Sequence, residues 1–355
     1  MRGWRKLARM QRHLDEARGP RSSRGAGALT HTARAAAMAC WLIGCGGGGG
    51  GGTSGTDAAV DAAGPQWWQP KVGEAKNWDI QLTAPIDVTT PRTMYDLDLW
   101  ALVPVPTMLD YGDGDPVTVP AGALAGAIAQ LHARTPPTIV ICHLETGALD
   151  LALPDARKFP GYRADMNYPN SPAAPAAGSV IGYRVGATAK RWLDIRAASR
   201  SKVIPVLFKR FELARSIGCD GVEADRNQVF LFDSGFTTVA TDSYSWYGEI
   251  ADQAHARKLS AGMKNGNSIA GQVDMMADKY DWMMVERCGE LDDCDSVRPF
   301  INALKDVLAI DYDHDSDGVA QGSTLPCSRE QLAMIADGIY KDVPLSKNVR
   351  TQCAP

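Results

Sequence analysis

At 355 residues, 45% of them hydrophobic and 22% charged, the chain can bury one large core and is not a disordered protein. Its first 45 residues carry nine Lys and Arg against Asp15 and Glu16, a net of +7, so the formal net of −4 leaves −11 on the remainder. An acidic body has no basic face for phosphates, which argues against a nucleic-acid partner and suits a cationic ligand.

In chain order, the first element is the apolar run 35–43, too short to span a bilayer but of the length of a signal-peptide core. It ends in Leu42-Ile43-Gly44-Cys45, which resembles a bacterial lipobox, with Cys45 as the lipidated thiol. Residues 1–45 are thus expected to be a lipoprotein-type signal that anchors an exported protein to the cell envelope, with plain secretion as the alternative. Residues 46–66, including seven consecutive glycines from Gly46 to Gly52, read as a flexible tether. No strand, following helix or Gly-Lys-Ser/Thr accompanies that run, so it is no phosphate loop.

From residue 67 to 355 short apolar runs alternate with amphipathic stretches, as in parallel strands covered by helices. Candidate strands are Trp78–Leu82, Tyr95–Leu99, Thr138–Leu144, Gly221–Asp225, Leu259–Asn265, Trp282–Glu286, Val307–Tyr312 and Gly338–Asp342. Eight such strands in one α/β domain predict a (β/α)₈ TIM barrel, expected to be a monomer. Helices are predicted through Val203 to Ile217, ended by Gly218, through Trp246, Ile250 and Ala254, and through Val297 to Leu304. Ser328 and Gln331 form a capping-box pattern expected to open the last helix. Residues 155–190, rich in Pro, Ala, Gly and Asn, fit no period and are expected to form a long loop on the strand-exit face.

Six cysteines remain beyond the signal, and in an exported chain an even number favours disulfides, although six allow fifteen pairings. Cys288 and Cys294, close together and directly after Glu286, would stiffen that loop, Cys327 and Cys353 would tie down the C-terminus, and Cys142 and Cys219 lie near neighbouring strands. Asp313-His314-Asp315-Ser316-Asp317-Gly318 has calcium-loop spacing, but Thr324 stands where the bidentate Glu belongs, so a solvated acidic turn is the favoured reading and no cofactor is expected. His255 is a lone histidine on a helix and reads as structural.

The strongest chemical signal is the recurrence of acids at strand ends: Asp96 and Asp98, Glu145, Glu223 and Asp225, Glu286, Asp311 and Asp313. In a parallel barrel those ends open on one catalytic face. Strand parity puts Glu223 and Asp225 on one side of their strand and Trp282, Met284 and Glu286 on one side of theirs. Two carboxylates on different strands are what glycoside hydrolysis requires, one to attack the anomeric carbon or activate water and one to protonate the departing oxygen.

From about Trp68 to Cys353 the chain also resembles the endo-α-1,4-polygalactosaminidase family, glycoside hydrolase family 114. The stretches that carry the resemblance include Trp78-Asp79-Ile80-Gln81-Leu82, Tyr95-Asp96-Leu97-Asp98-Leu99, Gly218-Cys219-Asp220-Gly221-Val222-Glu223-Ala224-Asp225, Gly262-Met263-Lys264-Asn265 and Val285-Glu286-Arg287-Cys288. The resemblance implies a barrel that cleaves α-1,4-linked galactosamine polymers, with Asp225 and Glu286 as the catalytic acids. By analogy with other retaining α-glycosidase barrels, Asp225 is the nucleophile and Glu286 the acid/base.

The chain departs from the family pattern at His143-Leu144-Glu145-Thr146-Gly147-Ala148-Leu149-Asp150, at Ala224 for the usual Pro and at Arg226 for the usual Asn, all at positions expected to line the cleft. Trp78 is expected to offer a sugar platform, and Asp98 and Glu223 to draw in cationic amines. Lys264 is expected to pair with Asp225 or Glu223, with Asn265 beside it at the end of the strand. The alternatives are a barrel hydrolase of neutral α-galactosides and a sugar-binding lipoprotein without turnover.

Overall fold

The structure, a computed structural model, describes residues 66–353. The signal, Cys45 and nearly all of the tether lie outside the described residues.

In chain order the strands are β1 (Asp79–Gln81), β2 (Met94–Asp98), β3 (Thr107–Leu109), β4 (Val117–Val119), β5 (Ile139–Glu145), β6 (Ala148–Leu149), β7 (Ile181–Arg184), β8 (Arg191–Leu193), β9 (Gly221–Asp225), β10 (Ser260–Lys264), β11 (Trp282–Glu286), β12 (Val307–Tyr312), β13 (Ile339–Lys341) and β14 (Arg350–Gln352). The main sheet runs β1-β2-β5-β9-β10-β11-β12-β13-β14. Its first eight strands are parallel and match the eight expected from sequence to within one or two residues. The ninth, β14, was not expected and pairs antiparallel with β13.

The seam between β1 and the C-terminal end of the chain is held without a ladder. Arg350 Nε and Nη2 donate to the Trp78 carbonyl at 2.9 and 2.7 Å, and the Leu82 amide donates to Leu345 at 2.8 Å.

Parity sorts the core into two layers, as alternating strand faces require. Inside the barrel lie Ile80, Met94, Ile141, Trp282, Met284, Leu308, Ile310, Tyr312 and Ile339; Tyr95, Leu97, Val140, Cys142, Val222, Ala224, Met283, Val285 and Ala309 face the helices. Gly262 is the inward residue of β10 that admits the Trp282 indole, because a Cβ there would sit 2.3 Å from the ring. Trp78 belongs to this interior core and is fully buried, its indole N–H donating to the Asp337 carbonyl at 2.7 Å. It offers no surface to a sugar, which corrects the platform expectation.

Of the helices, Ala197–Ile217 ends at Gly218 with φ +100°, where the missing Cβ lets the chain turn left-handed. The last helix, Thr324–Leu332, begins four residues before the expected cap: Ser328 lies inside it and bonds back to the Leu325 carbonyl, so its pattern with Gln331 opens nothing. The expected loop 155–190 is more ordered than its composition suggested. It contributes β7 to a small antiparallel sheet, β6-β8-β7, and its start is clamped by the fully buried Arg210, which donates to Asp155 at 2.8 and 2.9 Å.

All three expected disulfides are present: Cys142–Cys219, Cys288–Cys294 and Cys327–Cys353. His255 is held between Asp281, at 2.9 Å, and a stacked Trp67. Among the described residues no helix is long and apolar enough to cross a membrane.

Candidate active site

Asp225 and Glu286 are the last residues of β9 and β11, and both remain partly open, with side chains 15% and 26% exposed. The strand between them is β10, so the two carboxylates rise on either side of Lys264. Each of these three strands is followed directly by a left-handed residue, Arg226 (φ 62°), Asn265 (φ 50°) and Arg287 (φ 62°), which turns the chain sharply away and leaves the preceding side chain at the strand's end.

Glu286 is held from two sides. Asn265 Nδ2 donates to its Oε2 at 2.7 Å while Asn265 Oδ1 accepts the Glu286 backbone amide at 2.9 Å, and the Tyr312 hydroxyl donates to Oε1. Burial and the neighbouring Glu286 charge push the Tyr312 phenol well above its ordinary value, so it stays protonated. The Arg287 guanidinium lies 4.6 Å from the Tyr312 ring centre and keeps the ring in place.

Asp225 accepts the Arg226 amide at 2.6 Å, and Arg226 Nε stands 3.9 Å from its other oxygen. The turn behind it is pinned by the buried Asn227, whose amide bonds to Ala224, Thr146 and Trp246 at 2.7, 2.6 and 3.0 Å.

Below the rim sits a buried charge cluster. Lys264 Nζ is 3.1 Å from Glu223 Oε1 and 3.8 Å from Glu286 Oε2, and the other Glu223 oxygen is bonded to His143 Nδ1. Burial opposes the Lys264 charge, but Glu223, Glu286, Asp225 and Asp96 more than offset it and hold the ammonium well above its usual value. Burial likewise opposes a charged His143, yet Glu223, Asp225 and Asp96 push it up to about 9. Glu223 is held down against its own burial by Lys264 and His143, so it remains a carboxylate. Asp96 goes the other way: burial and the Glu223 charge raise it well above the carboxylate range, and neither of its oxygens has a hydrogen-bond partner.

Of the two sequence-derived partners for Lys264, therefore, Glu223 is the one it contacts. Two acids expected to attract substrate lie elsewhere. Glu223 is fully buried and already neutralised, and Asp98 is spent as a helix cap, accepting the Ala101 amide at 3.0 Å. Asp311 has the outward parity of β12 and takes the Gly289 and Glu290 amides instead of facing the mouth.

Tyr312, Asn227 and Lys190 are not singled out by the sequence, and His143 only as part of the departure from the family pattern after the third strand. His143 and Tyr312 were findable by extending the parity rule, since they continue the inward series Ile139, Ile141, His143 and Leu308, Ile310, Tyr312. Nothing in the sequence points to Asn227. In the acidic turn, Asp313 accepts the Val343 amide and Asp315 those of Asp317 and Val319. Among the described residues, the two side-chain groups able to converge on an ion are Cys327, Glu330 and Cys353, and Asp96, His143 and Glu223. The cysteines of the first are in a disulfide, and the Glu223 of the second is already bound to two cations.

The chain matches the family described as glycoside-hydrolase family GH114 over residues 57–353. Among solved structures it is similar to Aspergillus fumigatus Ega3 in complex with galactosamine, at 23% identity and a TM-score of 0.59, covering 81% of this chain and 97% of that one. Bacillus licheniformis trehalose-6-phosphate hydrolase aligns at 12% identity over 68% of this chain and 58% of its own, with a TM-score of 0.38. No curated protein matches. A family match running nearly the full length of the described chain, on a barrel fold shared with the Aspergillus protein, places this chain in glycoside-hydrolase family GH114 and makes it a glycoside hydrolase.

Proposed function

We propose that the chain is a retaining endo-glycosidase of α-1,4-linked galactosamine polymers, with Asp225 as nucleophile and Glu286 as acid/base. The observation that carries the role order is the difference between their partners. Both carboxylates accept an N–H, Asp225 from Arg226 and Glu286 Oε2 from Asn265, but only Glu286 also meets a hydroxyl, that of Tyr312 at Oε1, which can donate to a carboxylate or accept from a carboxylic acid. Glu286 can therefore cycle a proton with its position unchanged.

In the first step an Asp225 oxygen bonds to the anomeric carbon as the glycosidic C–O bond breaks and the departing oxygen takes the Glu286 proton. In the second, water gives a proton back to Glu286 and attacks that carbon, releasing Asp225. Support for the sugar comes from the Aspergillus relative, whose structure is described with galactosamine. No metal takes part in this scheme, and EDTA is expected to leave the rate unchanged.

The same reading includes export as a monomeric lipoprotein anchored through Cys45, with the glycine-rich tether holding the barrel off the membrane. Three disulfides suit an oxidising compartment. The proposal is tested by following the anomer first released from α-1,4-galactosamine oligomers by NMR, with neutral α-galactans as control. Retention is expected; inversion, or cleavage of the neutral polymer alone, would overturn it. Asp225→Asn should lose all turnover, while Glu286→Gln should keep the first step, read as a burst of aryl alcohol, on substrates with an activated leaving group, and the reverse pattern would exchange the two roles. Cleavage of neutral α-galactosides is the second reading, favoured by the two cations that Arg226 and Lys190 bring to the mouth.

A further inference from the structure

The surroundings of Asp225 differ from the acid-rich mouth that the sequence suggests. Glu145 ends β5 in register with Asp225 on β9. Its carboxylate is met by two cations: Lys190 Nζ at 2.6 Å, from the end of the long 155–190 segment, and Arg226 Nε at 3.6 Å. The same Arg226 nitrogen is 3.9 Å from Asp225. Burial works against the Arg226 charge, but Asp225, Glu145 and Glu286 together raise its value, so it is charged throughout the working range.

Arg226 and Lys190 are 43% and 31% exposed, whereas Glu145 is 8% exposed. The cleft is thus offered the cations more than the anion between them. The charges of Asp225 and Glu145 are thus matched by those of Arg226 and Lys190, Glu223 is buried and paired with Lys264 and His143, and Asp98 is turned to the Ala101 amide, so the carboxylate left at the rim is Glu286, across Lys264 from Asp225.

Connectivity turns this charge balance into a sugar preference. The nucleophile bonds to C1 of the sugar in the −1 subsite, and the 2-amino substituent sits on the adjacent carbon, so it must lie close to Asp225 and to the guanidinium beside it. A free amine there is an ammonium facing a fixed cation. An acetamido group is neutral, and its carbonyl oxygen accepts hydrogen bonds from guanidinium or ammonium donors.

We infer that the −1 subsite of this chain selects N-acetylgalactosamine over galactosamine, with Arg226 and Lys190 as the specificity-determining residues. The inference rests on the proposed galactosamine-polymer reading and on Asp225 as nucleophile.

The test uses a partially acetylated α-1,4-galactosamine polymer, with mass spectrometry of the sugar at the newly formed reducing end, which is the residue that occupied the −1 subsite. Wild type is expected to leave N-acetylgalactosamine there in excess of its share in the polymer. Arg226→Asn keeps a side chain tolerated at left-handed φ, and should shift the ratio of kcat/KM for acetylated against de-acetylated oligomers toward the amine by about tenfold. Lys190→Gln should shift it the same way without touching the Asp225 turn.

Wild type leaving mostly galactosamine at that end, or both variants slowing the two substrates equally, would overturn the inference while leaving the galactosamine-polymer reading in place. Wild type that cuts neither polymer overturns both.

Discussion

At the scale of single residues, Tyr312 carries the sharpest prediction. Its hydroxyl donates to Glu286, and its ring is clasped by Arg287. Replacing it by Phe keeps the ring and removes the partner that can switch between donor and acceptor. The kcat on polymer should fall roughly tenfold to hundredfold, toward the lower end of what positioned acid–base groups contribute, with KM little changed. A substrate whose aryl leaving group departs unaided needs no acid, so Tyr312→Phe should process it at close to the parent rate. Equal losses on both substrates would mean that the hydroxyl only packs. The rim placement of Asp225 and Glu286 was legible from strand parity and strand ends. The roles of Asp98, Glu223 and Trp78 were not, because parity says that a side chain points inward but not how deep it lies: Glu223 and Trp78 are both fully buried. Depth is set by stagger between strands, which one strand's sequence does not carry.

At the scale of elements, the eight parallel strands could be read because each is buried along nearly its whole length and so carries apolar residues, such as Ile80, Leu97, Val222, Met263 and Ile339, even where polar side chains interrupt them. The elements that escaped are short. β14 is Arg-Thr-Gln, with no apolar alternation to find, and β6, β7 and β8 are two to four residues long and pair over wide separations such as Leu149 with Arg191. Where two strands meet closely the register depends on a single atom's room. Gly262→Ala would place a methyl 2.3 Å from the Trp282 ring, and overpacking of this kind typically costs about 1–3 kcal/mol. A lowered midpoint in denaturant is the expected result. Adding Trp282→Phe, which trims the clashing atoms, should recover part of the loss; strictly additive losses would mean that the two positions do not compete for space.

At the scale of the whole molecule, buried titratable groups outside the reaction set how stability responds to pH. Glu330 is pushed up to about 10 by burial together with hydrogen bonding to and the charge of Asp311, and Asp337 to about 8 by burial and by Asp306. His143 is raised to about 9 by Glu223, Asp225 and Asp96 against its burial. Each folded value lies above the value of the unfolded chain, so in every case the folded state holds the proton more tightly. The stability these groups contribute is complete below their unfolded values, near 4 for the carboxyls and 6.5 for the histidine, and is lost as pH rises through the folded ones. Glu223 has the opposite sign, being held below its ordinary value, and withdraws its contribution as pH falls through the acid range. The melting temperature should therefore be highest near pH 5 and decline steadily toward pH 9. Glu330→Gln and Asp337→Asn remove the ionisation while keeping the shape, and should flatten that decline when thermal unfolding is followed across the series. A parent profile that rises from pH 5 to pH 8 would show that the carboxyl pairs are ionised in the folded barrel, held by groups other than a shared proton.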